Sequence, residues 1–236
     1  MLSYFEINGK KSTDFGIVVE TYPSIIVAAE RSKIYEVPGR HGDLEIRENA
    51  LKSFMMPISC AAKNIDMLNE FSTWVRKRGM LILGNRPNEA YEARMINQID
   101  IDQIMKGRQN RRFEIVFDCQ PFRYIWPEEQ PITIPYSGYT LSNPGNTESQ
   151  PKIVIEGNGE ASITINGKML NFPNLTGGIV IDSKAEDCFN LAESLLANEQ
   201  VEIGDDTFPT LKAGLNSVEW TGSITNVSIT PRWRNG

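Results

Sequence analysis

The side chains able to do chemistry are few and poorly grouped. His41 is the single histidine of this 236-residue chain. Any Ser-His-Asp or Cys-His mechanism would have to pass through it. It stands in a turn framed by Pro38, Gly39 and Gly42, beside Arg40 and Asp43, and reads as a turn or interface residue. No G-x-S-x-G elbow, H-E-x-x-H pair or phosphate loop occurs. Asp100 and Asp102 would share one face of a strand. General acid–base hydrolysis needs two carboxyls directed at one bond, and nothing near this pair marks a cleft. Asp205 and Asp206 read as a turn that could contribute calcium ligands, but the D-x-D-x-D-G loop is absent. Cys60, Cys119 and Cys188 are widely scattered, follow no metal-ligand spacing, and sit among apolar neighbours; they read as small buried hydrophobes. Gly157-Asn158-Gly159 lacks the third glycine and the helix of a phosphate cradle and reads as a hairpin turn. Tyr136, Tyr139, Trp220 and Trp233 are read first as core or domain-contact residues and second as platforms for stacking on a sugar ring. Asn174 and Asn226 match the glycosylation acceptor pattern, which matters only for a secreted eukaryotic protein. Neither a cofactor nor a metal is expected.

The elements that would carry these residues are mostly strands. Alternation through Tyr4–Asn8 followed by Asn8-Gly9 predicts an N-terminal hairpin. Strands follow at 15–20, 25–29 and 31–37, and β character continues through Leu44, Ile46 and 54–61. One helix is expected over 65–78. Asn64 would cap it, Asp66 would lie in its first turn, and Ile65, Leu68, Phe71 and Val75 would form its apolar stripe. Arg76, Lys77 and Arg78 suit the carboxyl end of its dipole, and Gly79 suits a left-handed stop. Residues 91–118 read as a long hairpin turning near Gly107. Six prolines from Pro121 to Pro151 mark a linker or a set of edge strands. Short strands with frequent turn signals beyond that point imply a β-sandwich. Within 185–197 helical spacing competes with sandwich context; a strand through Cys188 and Phe189, then a turn, is the reading adopted.

Hydrophobic residues make up 40% and charged residues 23% of the chain, which excludes wholesale disorder. No apolar run is long enough to span a bilayer, and the N-terminus lacks a basic-then-apolar leader pattern, so a cytosolic site of synthesis is expected. Residues 1–130 hold 18 Lys+Arg against 18 Asp+Glu, and residues 131–236 hold 6 against 12, so the second part carries the whole net charge of −6. Arg108, Arg111 and Arg112 form the strongest basic cluster, offset by Asp100, Asp102 and Glu114. A general grip on nucleic acid, which needs several net phosphate contacts on one face, is not supported.

Taken alone, these features describe a two-domain, β-rich, non-enzymatic protein: 1–130 and 131–236. The order of its motifs resembles the distal tail proteins of bacteriophages with long non-contractile tails (siphophages). The resemblance runs through Asp14-Phe15-Gly16-Ile17, the turn from Pro38 to Leu44, the single helix, and the run from Phe117 to Tyr124. It continues through Asn143-Pro144-Gly145-Asn146 with Pro151, Ile179–Ser183, Phe208–Leu211, Gly214-Leu215-Asn216 and Trp220-Thr221-Gly222. His41 stands where an acid is expected in many relatives. The resemblance implies a mainly β chain: an N-terminal β-sandwich with one helix and a protruding hairpin, then a galectin-like or carbohydrate-module-like sandwich. It implies six copies in a ring around a channel, joining the tail tube protein to the tip hub protein, with a receptor-binding protein as a further partner. The virion tail tip would be its location, after assembly in the bacterial cytoplasm. A head-to-tail ring needs two complementary patches per subunit. The 38–44 loop (Arg40, His41, Asp43) and the 91–118 hairpin (Arg108, Arg111, Arg112) are the nominees. The alternative reading is a carbohydrate-binding protein with a platform domain that recognises host cell-wall saccharide.

Overall fold

The computed structural model describes residues 3–63, 66–100, 111–128, 130–204 and 207–236. The chain is mainly β with one α-helix and divides into two compact units, 1–123 and 124–235.

Unit 1 contains β1 (Phe5–Ile7), β2 (Lys10–Lys11), β3 (Ile17–Thr21), β4 (Glu30–Tyr35), β5 (Leu44–Leu51), β6 (Phe54–Ala62), α1 (Leu68–Val75), β7 (Gly79–Leu83), β8 (Arg86–Met95) and β9 (Arg111–Ile125). Its main sheet runs in the order β2-β1-β7-β8-β9-β6-β3. Asn8 and Gly9 both take positive φ (51° and 76°), which closes the first hairpin with the expected left-handed turn. Alternate residues of β1, β6 and β9 point inward, and α1 lays Phe71, Trp74 and Val75 onto them. An aromatic stack fixes this contact: the Phe5 and Trp74 rings lie 5.6 Å apart, and Phe15 and Trp74 lie 4.7 Å apart. The indole Nε1 of Trp74 donates to the Ile7 carbonyl at 3.0 Å, which satisfies the polar edge of a buried ring.

Three expectations need correction here. The helix spans Leu68–Val75, with Met67 as its uncapped N-terminal boundary and Arg76 as a right-handed boundary residue; Asn64 and Ile65 lie outside the described residues. Gly79 is not a helix stop. It opens β7, where an added Cβ would collide with the Asn8 side chain, whose Nδ2 donates to the Arg78 carbonyl at 3.2 Å. Residues 25–29 join no strand; the Ala29 carbonyl accepts from the Lys52 N–H at 2.8 Å at the base of the β4–β5 pair, but the run forms no ladder, and composition alone could not reveal that. Of the expected 91–118 hairpin, β8 and β9 are neighbours in the sheet, and residues 101–110 at its tip lie outside the described residues.

Unit 2 contains β10 (Ile132–Thr133), β11 (Tyr139–Asn143), β12 (Lys152–Ile165), β13 (Lys168–Asp182), β14 (Asp187–Asn190), β15 (Glu202–Ile203), β16 (Gly214–Thr230) and β17 (Arg234–Asn235). The sheet order is β10-β16-β12-β13-β14, with β11 added to β16 and β15 to β13. The ladders that join the three long strands shift register midway, and a bulged strand bends at such a point. Gly157-Asn158-Gly159 is therefore not a turn: it lies inside β12, where Gly157 pairs with Gly177 and the register shifts between Gly159 and Ala161. A Cβ on Gly157 would strike the Ser223 carbonyl, and one on Gly222 (φ 80°) would strike the Glu160 carbonyl. Glycine lets the backbones approach and bulge along this crease. Both halves of each strand then feed one core: Ile153 and Ile163, Phe172 and Ile181, Val218 and Ile229 are all buried in it. The 185–197 segment supplies β14 through Cys188 and Phe189 and then turns, with Asn190 accepting from the Ser194 backbone at 2.9 Å.

Candidate functional site

β4 and β5 form a two-stranded sheet of their own, outside the main sheet of unit 1. Its register pairs Tyr35 with Leu44 and Lys33 with Ile46. Directly opposed residues share a face, so Tyr35, Leu44 and Ile46 gather near the tip of one face. Arg31, Lys33 and Glu48 occupy its base, with Lys33 Nζ 2.8 Å and Arg31 Nε 3.8 Å from the Glu48 carboxylate. On the other face Arg47 reaches Glu30 at 3.5 Å and Glu45 at 3.9 Å. Cross-strand charge pairs hold the register, but the apolar side chains have no cover: Ile34 is 66% and Ile46 49% exposed. The strandless run before the ribbon adds Ile25 and Val27, the latter 78% exposed. A lone two-stranded ribbon is marginal in water, and on one of its faces Tyr35, Leu44 and Ile46 form an exposed apolar cluster of the kind that marks an interaction site.

The nominated loop residues Arg40, His41 and Asp43 all lie in the connection between β4 and β5, and all are exposed. The turn is closed by the Arg40 N–H donating to the Val37 carbonyl at 3.1 Å. Among the described residues Arg40 and Asp43 make no ion pair, which leaves both charges at the ribbon tip facing solvent. The second nominated patch is not brought to the ribbon tip. Arg112, on β9, pairs with Glu20 of its own chain at 2.9 Å. The Arg111 Nε is buried without a partner among the described residues. Arg108 and Asp102 lie outside the described residues, as do Asp205 and Asp206.

Of the aromatic candidates, two meet ring to ring, one is joined to them only through its backbone, and one is removed. Tyr136 is exposed and meets Tyr139 edge to face, with centroids 5.6 Å apart. Ser137 links this pair to Trp220, its Oγ accepting from the Trp220 N–H at 2.8 Å. Trp233 cannot be a stacking platform: it is 3% exposed and belongs to the core of unit 2. Its position near the end of the chain gives no hint of this, because the core of unit 2 closes only when the last strands return to it.

The thiols behave as their neighbours suggest. Burial pushes Cys60, Cys119 and Cys188 up to about 12, and the nearby charges of Glu20, Asp118 and Asp187 add to the effect in turn. Near the C-terminus Arg232 grips Asp182 with two hydrogen bonds, at 2.6 and 2.8 Å. Burial pushes the Asp182 carboxyl up, but the Arg232 hydrogen bond and charge, with the backbone N–H groups of Ala185 and Lys184, more than offset it and leave it below its ordinary value. Among the described residues no group of three His, Cys, Asp or Glu side chains could hold a metal ion, and no helix is long and apolar enough to cross a membrane.

Sequence reasoning named the ribbon tip but missed the apolar side chains beside it, treating Ile34, Tyr35, Leu44 and Ile46 as ordinary strand residues. The available signal was charge. Glu30, Arg31, Lys33, Glu45, Arg47 and Glu48 crowd two short strands, more than a strand buried on one face would carry.

Comparison with solved structures finds a likeness along nearly the whole chain. The SPP1 Dit (gp 19.1) protein, described as a paradigm of the hub adsorption apparatus in phages infecting Gram-positive bacteria, superposes with a TM-score of 0.69 at 13% identity, over 97% of this chain and 98% of that one. A chain of the phage p2 baseplate, in its activated conformation with Sr, gives a TM-score of 0.56 at 8% identity, over 97% of this chain and 96% of that one. No family model and no curated protein matches the chain. The fold is thus the Dit fold, as the ordered motifs implied.

Proposed function

We propose that this chain is a structural subunit of a bacteriophage tail tip, a distal tail protein whose copies close into a hexameric ring between the tail tube and the tip hub. The observation that carries the reading is the full-length fold likeness to two phage proteins, one described as a hub of the adsorption apparatus and the other as part of a baseplate. Both are described as parts of structural assemblies, which supports a non-enzymatic role here. The ribbon supports the ring. Unit 1 closes its own core yet leaves Tyr35, Leu44 and Ile46 uncovered on one face of the ribbon, and head-to-tail closure requires such a patch to meet a different one on the next copy. The Arg40 and Asp43 charges at the tip would set the register across that contact, since charge complementarity selects orientation more than affinity. A near-neutral first unit suits this arrangement, because six copies add little mutual repulsion. The partners on this reading are further copies of the chain, the tube protein, the tip hub protein and a receptor-binding protein, all in the virion.

Native mass measurement and negative-stain imaging of the purified chain test it. The expected result is a particle of six chain masses with a central hole. A chain that stays monomeric at high concentration and is absent from the tail tips of virions overturns the reading.

A further inference from the structure

A second feature, independent of ring formation, lies on the outer face of unit 2. Ser162 pairs with Thr221 on one side and Asn171 on the other, and Asn171 pairs with Glu202. Four adjacent strands, β16, β12, β13 and β15, thereby align Thr221, Ser162, Asn171 and Glu202 in one row. Their chain neighbours Ala161, Ile163, Leu170 and Phe172 are buried. Successive side chains of a strand point to opposite faces, so the row faces outward. It lines a cavity of about 700 Å3, with Glu160 and Pro173 beside it. This volume falls within the range of small-ligand sites, roughly 300–1,000 Å3.

The chemistry of the lining is selective. Ser162 Oγ and Thr221 Oγ1 are 2.9 Å apart and share one hydrogen. The pair keeps the other hydroxyl hydrogen and unused lone pairs. Asn171 supplies both a donor and an acceptor, and the carboxylates of Glu160 and Glu202 accept. Among the described residues no lysine or arginine lines the cavity, so an anionic ligand would meet two like charges and no counter-charge. Two carboxylates fall short of a cation cage, and among the described residues no metal-holding group exists. A ligand rich in neutral hydroxyls, each able to donate to a carboxylate and accept from a hydroxyl or amide, satisfies the whole row. The ring of Pro173 offers apolar surface to the C–H face of such a ligand.

We propose that the row Thr221–Ser162–Asn171–Glu202 is a binding site for a neutral saccharide. This site differs from the aromatic group considered from sequence. Trp220 pairs with the buried Ile163 and so sits on the core side of β16, opposite to Thr221. The two locations are separable in one experiment.

That experiment is ligand-observed saturation-transfer NMR on the intact chain. The neutral probes are maltotriose, lactose and tri-N-acetylchitotriose, and the anionic probe is a glycerol-phosphate oligomer. Saturable transfer from at least one neutral probe and none from the anionic one is expected. Ser162→Val combined with Thr221→Val should weaken it at least tenfold, and Tyr136→Ser should leave it unchanged. If the valine pair lowers the thermal transition, Asn171→Ala with Glu202→Gln carries the same expectation. Transfer from none of the three neutral probes, transfer that survives in the row variants, or transfer abolished by Tyr136→Ser overturns the proposal. Native mass is recorded on every variant, so loss of the ring and loss of sugar binding are read separately.

Discussion

The two units solve the burial problem differently. Unit 2 builds its core from a few long strands that bend at a glycine crease, so each strand supplies apolar side chains from both of its halves. Unit 1 builds its core from shorter strands capped by one helix, and it spends residues 23–51 on a run and a ribbon that supply no side chain to that core. A chain segment of that length, with exposed isoleucines and side-chain contacts across the ribbon that are surface charge pairs, adds little to the stability of its own fold, since such pairs are each worth about 0–1 kcal/mol. The difference is that unit 2 puts its long strands into its own core, whereas unit 1 leaves exposed apolar side chains that, on the function proposed above, meet a neighbour.

The comparison can be broken or sharpened by substitution. The largest effect is expected at the helix–sheet contact of unit 1. Phe71 is fully buried between Phe15, Trp74 and Phe113, and Phe71→Ala should cost about 3–5 kcal/mol, read by denaturant unfolding with hydrogen exchange to localise the loss to β1, β6 and β9. Equal loss of protection throughout β12 and β13 would contradict two separate cores. Next comes the crease. Gly222→Ala forces a Cβ against the Glu160 backbone at a positive φ, and about 2–4 kcal/mol of destabilisation is expected, in the range of strained backbone and overpacked sites. A neutral result would mean that the bend does not depend on glycine.

Asp182 gives a smaller effect with a pH signature. Its folded-state value is depressed, so its contribution is fully present above the unfolded value of about 4 and is lost as pH falls through the folded value. Asp182→Asn should therefore cost about 1.5–3 kcal/mol at pH 7 and progressively less as the pH is taken below about 4, as seen in urea titrations across that pH series. A cost independent of pH would show that the Arg232 contact acts through packing alone. The ribbon should show the smallest change in stability. Ile34→Ser with Ile46→Ser is expected to move the monomer's unfolding by less than about 0.5 kcal/mol while abolishing the six-chain particle in native mass measurement. A ring that persists with this pair assigns closure elsewhere, and the Arg111 and Arg112 region becomes the next surface to reverse. Finally, the three thiols should be inert in the folded chain toward an aromatic disulfide reagent at pH 8, because burial holds them near 12; rapid labelling of any of them would place that thiol outside the core.

Local chemistry made much of the fold legible. Asn8-Gly9 can close only a tight hairpin, the Leu68–Phe71–Val75 spacing presents one apolar stripe, and the alternation through Ile153–Ile155 and Ile163–Ile165 assigns strands. The ordered motifs carried the fold across the whole chain, although only 13% of residues coincide with the SPP1 protein. The site was less legible. Arg40, His41 and Asp43 could be placed on a turn, but nothing in their types showed that the flanking strands leave the main sheet. Trp220 and Trp233 are alike as letters, and only the returning C-terminal strands bury one and half-expose the other.

Composition and spacing by themselves determined that this is a β-rich chain with one helix, that its charge lies in the second half, and that its one histidine and scattered cysteines form no recognisable catalytic or metal motif. Those properties depend on residue type and short-range periodicity, which a chain carries whether or not it is folded. Tertiary structure alone decided that Gly157-Asn158-Gly159 bends a strand instead of reversing it, that β4 and β5 stand uncovered, and that Thr221, Ser162, Asn171 and Glu202 fall in one row. Each of these depends on which distant strand arrives alongside, and pairing between residues as far apart as Lys152 and Thr230 is settled by the global packing of the core rather than by any neighbour in sequence.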